Sequence, residues 1–337
     1  MRFLSAKILS GGLAVTVALA LSITPAYAAD NQAKKKKDDP NQIGNRDTGK
    51  CLNFYSLDKE IAMGKQLSEE VMRQVKVNDD PLLGEWVNRT GQNLVRNSDA
   101  KVPFTFRVIE DDAANAFALP GGFIFVNTGL IKIASEEDEF VGAVAHEIAH
   151  VAARHLTCRA TKSQLTSILT MPLGAVLGGV PGYAIRQAAG AGMATVFAGF
   201  SRADETEADY LGVQYMYAAG YDPNGAVSIF EKLEALQKTK PGAVARILAS
   251  HPMDAQRIDH TQKEIQRILP EKPEYVVTTS EYHDLRERMI QQLSRRKTDD
   301  SEGRPRLRVS PGTGKSDDPA NDKDDRPTVR RRDLMEP

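Results

Sequence analysis

The residues H-E-I-A-H at positions 146–150 lie in a segment whose apolar residues recur with helical spacing. His146 and His150 are four residues apart, so on a helix both imidazoles leave the same face. Two neutral imidazoles at this spacing can bind one tetrahedral zinc ion, and the Glu147 carboxylate can take a proton from a water there. The stretch predicts part of a zinc site with a general base; the alternative is a helix that carries two histidines by chance.

The flanking sequence indicates where this helix begins and which side chains face the metal. A capping box from Ser135 to Asp138, with acidic residues in the first turn, predicts the helix start. His155 follows His150 by five residues, which is about 140° around a continuous helix. We therefore expect His155 to face away from the metal and to be structural.

A third zinc ligand should come from a different element, because three ligands on one helix cannot surround the metal. The residues S-R-A-D-E-T-E-A-D at 201–209 open another helix, on which Glu205 and Asp209 share a face and Glu207 points elsewhere. One carboxylate as ligand, with a second one turn on to orient an imidazole, is an expected arrangement. The alternative is a solvated acidic helix start, which the helix dipole also favours.

Residues 104–127 predict a small sheet beside this site. The segment at 104–110 alternates as a strand, and N-A-F-A-L-P-G-G-F-I-F-V-N at 115–127 is typical of two strands joined by a Pro-Gly-Gly turn. Small residues suit an edge strand at a cleft, which can hold an extended peptide independently of its sequence. The alternative is an ordinary hairpin. The candidate substrate-binding residues are Asn115, Ala116, Phe117 and Ala118.

Composition and the N-terminus narrow the class of protein. The 337 residues are 41% apolar with a net charge of −1, which suits one or two globular domains and gives no indication of nucleic-acid binding. An uncharged run at 8–23 follows Arg2 and Lys7, and A-Y-A at 26–28 is typical of a signal-peptide cleavage site. We expect removal of 1–28 after Ala28 and export to a bacterial periplasm; the alternative is an uncleaved anchor.

The chain has two cysteines, Cys51 and Cys158. In an oxidising compartment they predict one disulfide, which would join the N-terminal segment to the end of the H-E-I-A-H helix. The alternatives are two buried thiols, or Cys51 as a thiolate that blocks the metal in a latent enzyme.

The predicted zinc-binding domain covers 51–296 and is flanked by a polar linker at 29–50 and a charged tail at 297–337 that we expect to be disordered. Within the domain, 163–200 is rich in Gly and Ala and nearly uncharged, with interrupting prolines. This segment predicts a mobile lid over the cleft or a hairpin that makes peripheral contact with a membrane.

Four motifs in order resemble one known family. H-E-I-A-H, followed some fifty residues later by S-R-x-x-E-x-E-A-D, resembles the family forty-eight zinc metallopeptidases. N-A-F-A-L-P-G-G at 115–122 and S-H-P-x-x-x-x-R-I at 250–258 are similar to its soluble, exported branch, which contains the beta-barrel-assembly-enhancing proteases. The resemblance covers about residues 52–270. We expect no tetratricopeptide array after the catalytic domain, which is a departure from that branch.

The resemblance implies a role for each motif residue. It implies His146, His150 and Glu205 as the ligands of one Zn²⁺ per chain, Glu147 as the general base, and Asp209 as the carboxylate that supports a ligand.

Two residues of the last motif are also implied in the site. His251 matches a histidine that can occupy the remaining position on the zinc as a removable plug, which would make the enzyme latent. The alternative is a histidine that helps to bind substrate or the developing oxyanion. Arg257 is expected to stabilise negative charge at the site.

These expectations combine into one fold and one activity. We expect an α+β, mainly helical zincin-type domain with a small antiparallel sheet whose edge strand borders the active cleft. The expected activity is zinc-dependent endopeptidase cleavage of unfolded or misassembled envelope proteins, for quality control. The alternatives are a zinc-stabilised periplasmic chaperone with little or no proteolysis, and a processing protease with one substrate.

Overall fold

The computed structural model describes residues 38–49, 51–169, 199–253 and 255–302. The predicted signal peptide, most of the segment 163–200 and nearly all of the charged tail lie outside these residues. One compact unit ends at Ser294, and a second begins at Arg295, of which only the helical residues to Glu302 are described.

The described part of the chain is mostly helical, with one small sheet, so the predicted α+β class is confirmed. A short 3₁₀ turn at Pro40–Gln42 precedes these elements. No helix in the described ranges is both long and apolar enough to cross a bilayer. The helices are α1 (Leu57–Gln74), α2 (Pro81–Arg96), α3 (Thr128–Ile133), α4 (Glu137–Ala152), α5 (His155–Leu169), α6 (Arg202–Ala218), α7 (Asn224–Thr239), α8 (Pro241–Ser250), α9 (Ala255–Ile268) and α10 (Ser280–Glu302), and the strands are β1 (Thr105–Ile109), β2 (Ala116–Leu119) and β3 (Phe123–Asn127).

The sheet is mixed rather than antiparallel throughout. Its strand order is β1-β3-β2, with β2 antiparallel and β1 parallel to β3. Gly121 and Gly122 have φ angles of 73° and 94°, which side-chain-bearing residues rarely adopt, and they make the tight turn of the predicted hairpin. The antiparallel expectation therefore holds for the hairpin, while β1 pairs with the other edge of β3 and leaves β2 as an edge strand.

The start of α4 lies one residue later than the predicted capping box. Glu136 is the N-cap, and the Oε2 of Glu139 accepts the backbone N–H groups of Ser135 and Glu136 at 2.7 and 3.3 Å. The Ser135 hydroxyl is instead a partner of the Lys232 ammonium. Because Glu139 is long enough to reach back over the first turn, it takes the capping role that the spacing assigned to Asp138.

Helix α4 lies at the centre of the fold, and all of its residues are buried. Two glycines allow neighbouring helices to approach its backbone closely. A Cβ on Gly142 would lie 2.7 Å from the Cα of Ala226 on α7, and one on Gly212 of α6 would lie 3.3 Å from the backbone nitrogen of His146. This close contact between α4 and α6 sets Glu205 and Asp209 beside the histidines.

The residues that precede α1, at 38–49 and 51–56, form a segment that we call the strap. It lies across the domain and leads into α1. The Nε of Arg46 lies 2.9 Å from Asp99 Oδ2, and its Nη1 donates to Gln214 Oε1 on α6 at 2.6 Å. Cys51 forms a disulfide with Cys158 of α5, so that prediction is confirmed. The strap is thus fixed to both α5 and α6, the helices that flank the end of α4.

Candidate metal centre and cleft

Four buried side chains meet at the C-terminal half of α4. His146 and His150 come from α4, Glu205 from α6, and His251 from the residue that ends α8. Each offers one ligand atom, and these four atoms lie within 4.8 Å of one another. The structure therefore brings together the three predicted ligands and His251.

The nitrogens of the two α4 histidines converge on one point. Their Nε2 atoms are 3.0 Å apart, and Glu205 lies 3.4 Å from His146 Nε2 and 3.5 Å from His150 Nε2. On the outer side, His146 Nδ1 lies 2.9 Å from Asp209. A proton on Nδ1 that bonds to Asp209 leaves the Nε2 lone pair directed inward, as a metal ligand requires. Two imidazole nitrogens and a carboxylate in this arrangement fit a metal ion, and zinc is typical of such a donor set.

Asp209 and Glu205 are themselves held by Arg257 of α9. Its Nε and Nη2 lie 2.8 and 2.7 Å from the two oxygens of Asp209, and its Nη1 lies 2.6 Å from Glu205 Oε2. Nη1 also donates to the carbonyl of Pro252 at 2.8 Å. Arg257 thus contacts both buried carboxylates and is not part of the cleft lining, and its expected role in stabilising negative charge during the reaction stays a prediction.

The surroundings of His155 differ from the sequence prediction. Helix α4 ends at Ala152, Arg154 has a φ of 59°, and α5 begins at His155, so the continuous helix assumed for its orientation is wrong. His155 Nδ1 lies 2.9 Å from His150 Nδ1, and its Nε2 lies 3.4 Å from Glu207 Oε2. His155 is therefore a direct partner of a candidate ligand, behind the ring and outside the metal cluster.

His251 lies between the cluster and Glu147. Its Nδ1 is 3.0 Å from Glu205 Oε1 and 3.2 Å from His146 Nε2, and its Nε2 is 3.3 Å from Glu147 Oε1. The other oxygen of Glu147 accepts the backbone N–H of Ala118 in β2 at 2.9 Å. The structure thus places Glu147 beside both the cluster and the edge strand.

Burial and close charges perturb the titration of these groups. Burial raises the pKa of Glu147 and lowers that of His150 well below its usual value. Burial opposes a charge on His146, but hydrogen bonds to Asp209 and Glu205 outweigh it and raise the pKa of His146 to about 10. Burial likewise disfavours a charged Glu205, yet hydrogen bonds from the three histidines of the cluster hold its pKa below its usual range. A proton on His146 therefore competes with a cation for this cluster.

A cleft of about 640 Å³ opens beside Glu147 and His251. Its lining includes three of the candidate substrate-binding residues, Asn115, Phe117 and Ala118, and its opposite wall includes Leu67 and Val71 of α1. Ala116 lies in the same strand but is not part of the lining. The cleft thus joins the metal cluster to the edge strand, as the sequence predicted for β2.

Phe200 is another residue of the cleft that the sequence did not single out. Its ring stacks on His150 with centroids 3.9 Å apart, and the guanidinium of Arg159 lies 5.0 Å from its centroid. Phe200 is the last residue of the Gly- and Ala-rich segment 163–200, and no local pattern distinguishes it from an ordinary apolar residue.

Comparisons with known proteins agree with the four motifs. Residues 81–265 match the family model of peptidase family M48. The beta-barrel assembly-enhancing proteases of Yersinia pestis and Escherichia coli K12 are 31% and 30% identical over 225 residues, which cover 64% of this chain and 46% and 45% of those proteins. The mitochondrial metalloendopeptidase OMA1 of Schizosaccharomyces pombe is 30% identical over 240 residues, 69% of this chain and 68% of that protein. The chain spans about half the length of the beta-barrel assembly-enhancing proteases that it matches.

Proposed function

This chain belongs to peptidase family M48, and from that premise we propose that it is a zinc-dependent endopeptidase that cleaves unfolded or misassembled proteins of the cell envelope. The observation that carries the proposal is the buried cluster of His146, His150 and Glu205. Glu147, the residue after His146 on α4, lines the cleft beside this cluster.

The metal would be one Zn²⁺ per chain, with His146, His150 and Glu205 as its ligands. When bound, it would supply Lewis-acid chemistry, polarising the scissile carbonyl and making a water more acidic. Asp209 would keep His146 in the tautomer that exposes Nε2, and Arg257 would hold both carboxylates in place.

Glu147 would move the proton. Its carboxylate would accept a proton from the attacking water and deliver it to the leaving amine. Burial raises the pKa of Glu147, which makes the carboxylate a better base. The raised pKa also helps Glu147 to hold the proton between its uptake from water and its delivery to the amine. The Ala118 N–H, which bonds to one oxygen of Glu147 at 2.9 Å, would fix the orientation of the carboxylate.

The edge strand would hold the substrate. Asn127 donates its N–H to the Asn115 carbonyl at 2.9 Å, so Asn115 and Phe117 direct their backbone groups towards β3. By alternation, Ala116 and Ala118 direct theirs to the other edge of β2. There the Ala118 N–H bonds to Glu147, and the Ala116 groups and the Ala118 carbonyl can pair with an extended peptide. Pairing through backbone groups does not depend on sequence, which supports unfolded polypeptides as the substrate class.

His251 has two roles that its position supports. As a plug, its Nδ1, 3.0 Å from Glu205, would occupy a position at the metal and keep the enzyme latent. As a catalytic group, its Nε2, which faces Glu147, would bind substrate or the developing oxyanion.

The signal-peptide pattern at 1–28 and the relatives named for beta-barrel assembly support a setting in the cell envelope. We place the mature chain in the periplasm, with peripheral membrane contact through 163–200. Mass spectrometry of the purified native protein tests the predicted start at Ala29, and a start at Met1 would contradict it.

Glu147→Gln tests the catalytic assignment, because it preserves the shape of the side chain and removes the base. We expect the wild type to bind zinc and digest a casein-type unfolded substrate, and Glu147→Gln to bind zinc with activity lower by at least about 10²-fold. Unchanged proteolysis in the zinc-loaded variant would refute the assignment. A wild type that never cleaves but suppresses aggregation would instead be a chaperone.

His251→Ala distinguishes the two roles of that residue. A plug predicts that the variant digests casein faster than the wild type at equal zinc occupancy. A catalytic role predicts loss of activity, and unchanged activity would exclude both.

A further inference from the structure

His155 is a buried imidazole, 3% exposed, that takes no part in the proposed catalytic steps. It lies between His150 and Glu207, at 2.9 Å from the first and 3.4 Å from the second. We propose that Glu207, His155 and His150 form a hydrogen-bonded relay that fixes the tautomer and ring orientation in which His150 presents Nε2 to the metal. The proposal rests on the metal site of the proposed function, and it makes His155 a positioning residue.

The direction of the hydrogen bonds follows from the chemistry of the imidazole ring. A neutral ring carries one N–H and one lone pair. If His150 Nε2 is to bind a metal, its Nδ1 must carry the proton and donate it to His155 Nδ1. The Nε2 of His155 must then carry the other proton, and the carboxylate of Glu207 is the acceptor that faces it. The three groups therefore have one consistent arrangement of protons, and it ends with a lone pair aimed at the cluster.

The backbone adopts an unfavourable conformation that makes this contact possible. Arg154, with its φ of 59°, ends α4 and redirects the chain so that His155 returns over His150. The side chain of Arg154 holds the turn, since its Nε donates to Glu60 at 2.7 Å and its Nη2 to the Tyr55 carbonyl at 2.5 Å. Without this turn, His155 would lie farther round the helix and would not reach His150.

Each of the two α4 histidines is thereby supported by a carboxylate, which contacts His146 directly and reaches His150 through His155. Asp209 lies directly against His146, at 2.9 Å. Glu207 is the corresponding carboxylate for His150, and His155 fills the space between them. Carboxylate partners of metal-bound histidines raise their basicity and fix the ring, and their loss costs about 10- to 100-fold in metal affinity.

The test compares Zn²⁺ affinity of the metal-free full chain, measured by chelator competition, in wild type, His155→Leu and His155→Gln. His155→Leu fills the space but accepts no hydrogen bond, and we expect it to weaken zinc binding by about 10- to 100-fold. The carboxamide oxygen of His155→Gln can accept the His150 N–H and should recover most of that loss. The visible spectrum of the Co²⁺-substituted protein should shift in the Leu variant and match wild type in the Gln variant.

Controls separate the relay from a general structural role. His260, an exposed histidine of α9, gives the matched variant His260→Leu, which should bind zinc as wild type does. Glu207→Leu should weaken zinc binding less than His155→Leu, and the double variant should lose no more than His155→Leu alone, since the two act in series.

Two results would overturn the relay. One is a His155→Leu protein that binds zinc within twofold of wild type while His146→Ala abolishes binding. The other is an equal loss in the Leu and Gln variants with an unchanged Co²⁺ spectrum, which would indicate a packing role. A wild type that binds zinc but cleaves nothing would contradict the proposed endopeptidase and leave the relay standing, so the two failures are distinguishable.

Discussion

The two histidines of H-E-I-A-H are supported on opposite sides by groups of different character. Behind His146 stand the carboxylate of Asp209 and the guanidinium of Arg257, which meet through two contacts of 2.8 and 2.7 Å. Behind His150 stands a second imidazole, His155, whose carboxylate partner is partly exposed. The His146 side therefore depends on a balance of buried charges, and the His150 side depends on the path of the backbone.

This difference predicts that substitutions on the two sides affect different properties of the protein. A buried charge that loses its partner destabilises the whole domain, because no water replaces the lost contact. A neutral partner that is lost costs mainly the orientation of one ring. Changes on the His146 side should therefore lower stability most, and changes on the His150 side should chiefly lower metal affinity.

The largest effect should follow from Arg257→Ala. The variant removes the guanidinium that contacts both buried carboxylates, Asp209 and Glu205, and we expect a loss of about 3–5 kcal/mol in the free energy of unfolding of the metal-free protein. Urea unfolding measures this loss. Arg257→Lys should not restore it, because an ammonium cannot make the same bidentate contacts. On the same helix, Arg267→Ala breaks half-exposed pairs with Glu264 and Asp38, each of which should contribute less than about 1 kcal/mol. Equal losses at the two positions would contradict the charge-balance account.

The next effect should come from the disulfide that ties the strap to α5. Cys51 and Cys158 are 107 residues apart, so their bond restricts a long loop of the unfolded chain. We expect Cys51→Ser/Cys158→Ser to lower the free energy of unfolding by about 2–4 kcal/mol. Reductant should destabilise the wild type by a similar amount and leave the double variant unchanged. Insensitivity of the wild type to reductant would contradict the prediction.

Asp209→Asn should have a smaller effect, on metal affinity. The amide is a weaker acceptor for the His146 N–H than the carboxylate, and we expect zinc binding to weaken by about 10- to 100-fold. Chelator competition measures it, with Asp259→Asn on the exposed surface of α9 as the control. Zinc binding in Asp209→Asn as tight as in Asp259→Asn would contradict the role of Asp209.

The smallest effect should appear at the other end of α4, away from both histidines. Burial, with the nearby carboxylates of Asp222, Glu139 and Glu136, raises the pKa of Asp138 to about 7. The folded state thus keeps a proton that the unfolded chain loses near pH 4, so stability falls as pH rises from about 4 to 7.

Asp138→Asn should remove this loss. Relative to wild type, we expect the variant to retain about 1–2 kcal/mol more of its stability between pH 5 and pH 8. Urea unfolding at the two pH values measures it. Parallel pH profiles for the two proteins would show that Asp138 titrates normally.

Much of the fold could be predicted because local chemistry decides it. Asp80 caps α2 through a bond to the N–H of Leu82 at 3.1 Å, and Pro81 is the first residue of that helix, as the Asp-Pro pair indicates. The glycines after Pro120 fix the hairpin turn in the same way. In both places the residues that determine the structure are neighbours in sequence.

The end of α4 could not be predicted, because distant residues determine it. The sequence A-A-R-H at 152–155 contains neither Gly nor Pro, and Arg154 would continue a helix well by its own propensity. The chain turns there because Glu60 and the carbonyl of Tyr55 bind the Arg154 side chain. The parallel pairing of β1 is similar, since the pattern of a strand does not specify which edge of its neighbour it joins.

The two histidines were predictable from their spacing and Glu205 from the family resemblance, whereas the contacts behind them were less so. His146, His150 and Glu205 meet as the motifs indicate, and Asp209 lies against His146 as the spacing of one helical turn suggests. The position of His251 in the cluster depends on how α8 packs, which no local pattern specifies.

The edge strand β2 is sunk between α4 and α1, and its depth has a consequence for what can reach it. An unpaired strand edge on an open surface invites other copies of a protein to aggregate. A polypeptide that binds in the cleft must enter as a single extended strand whose backbone N–H and C=O groups are free. In a folded protein these groups are already hydrogen-bonded within its own helices and sheets, and the folded protein is too large to enter. On the proposed function, the same recess would exclude folded proteins from the site.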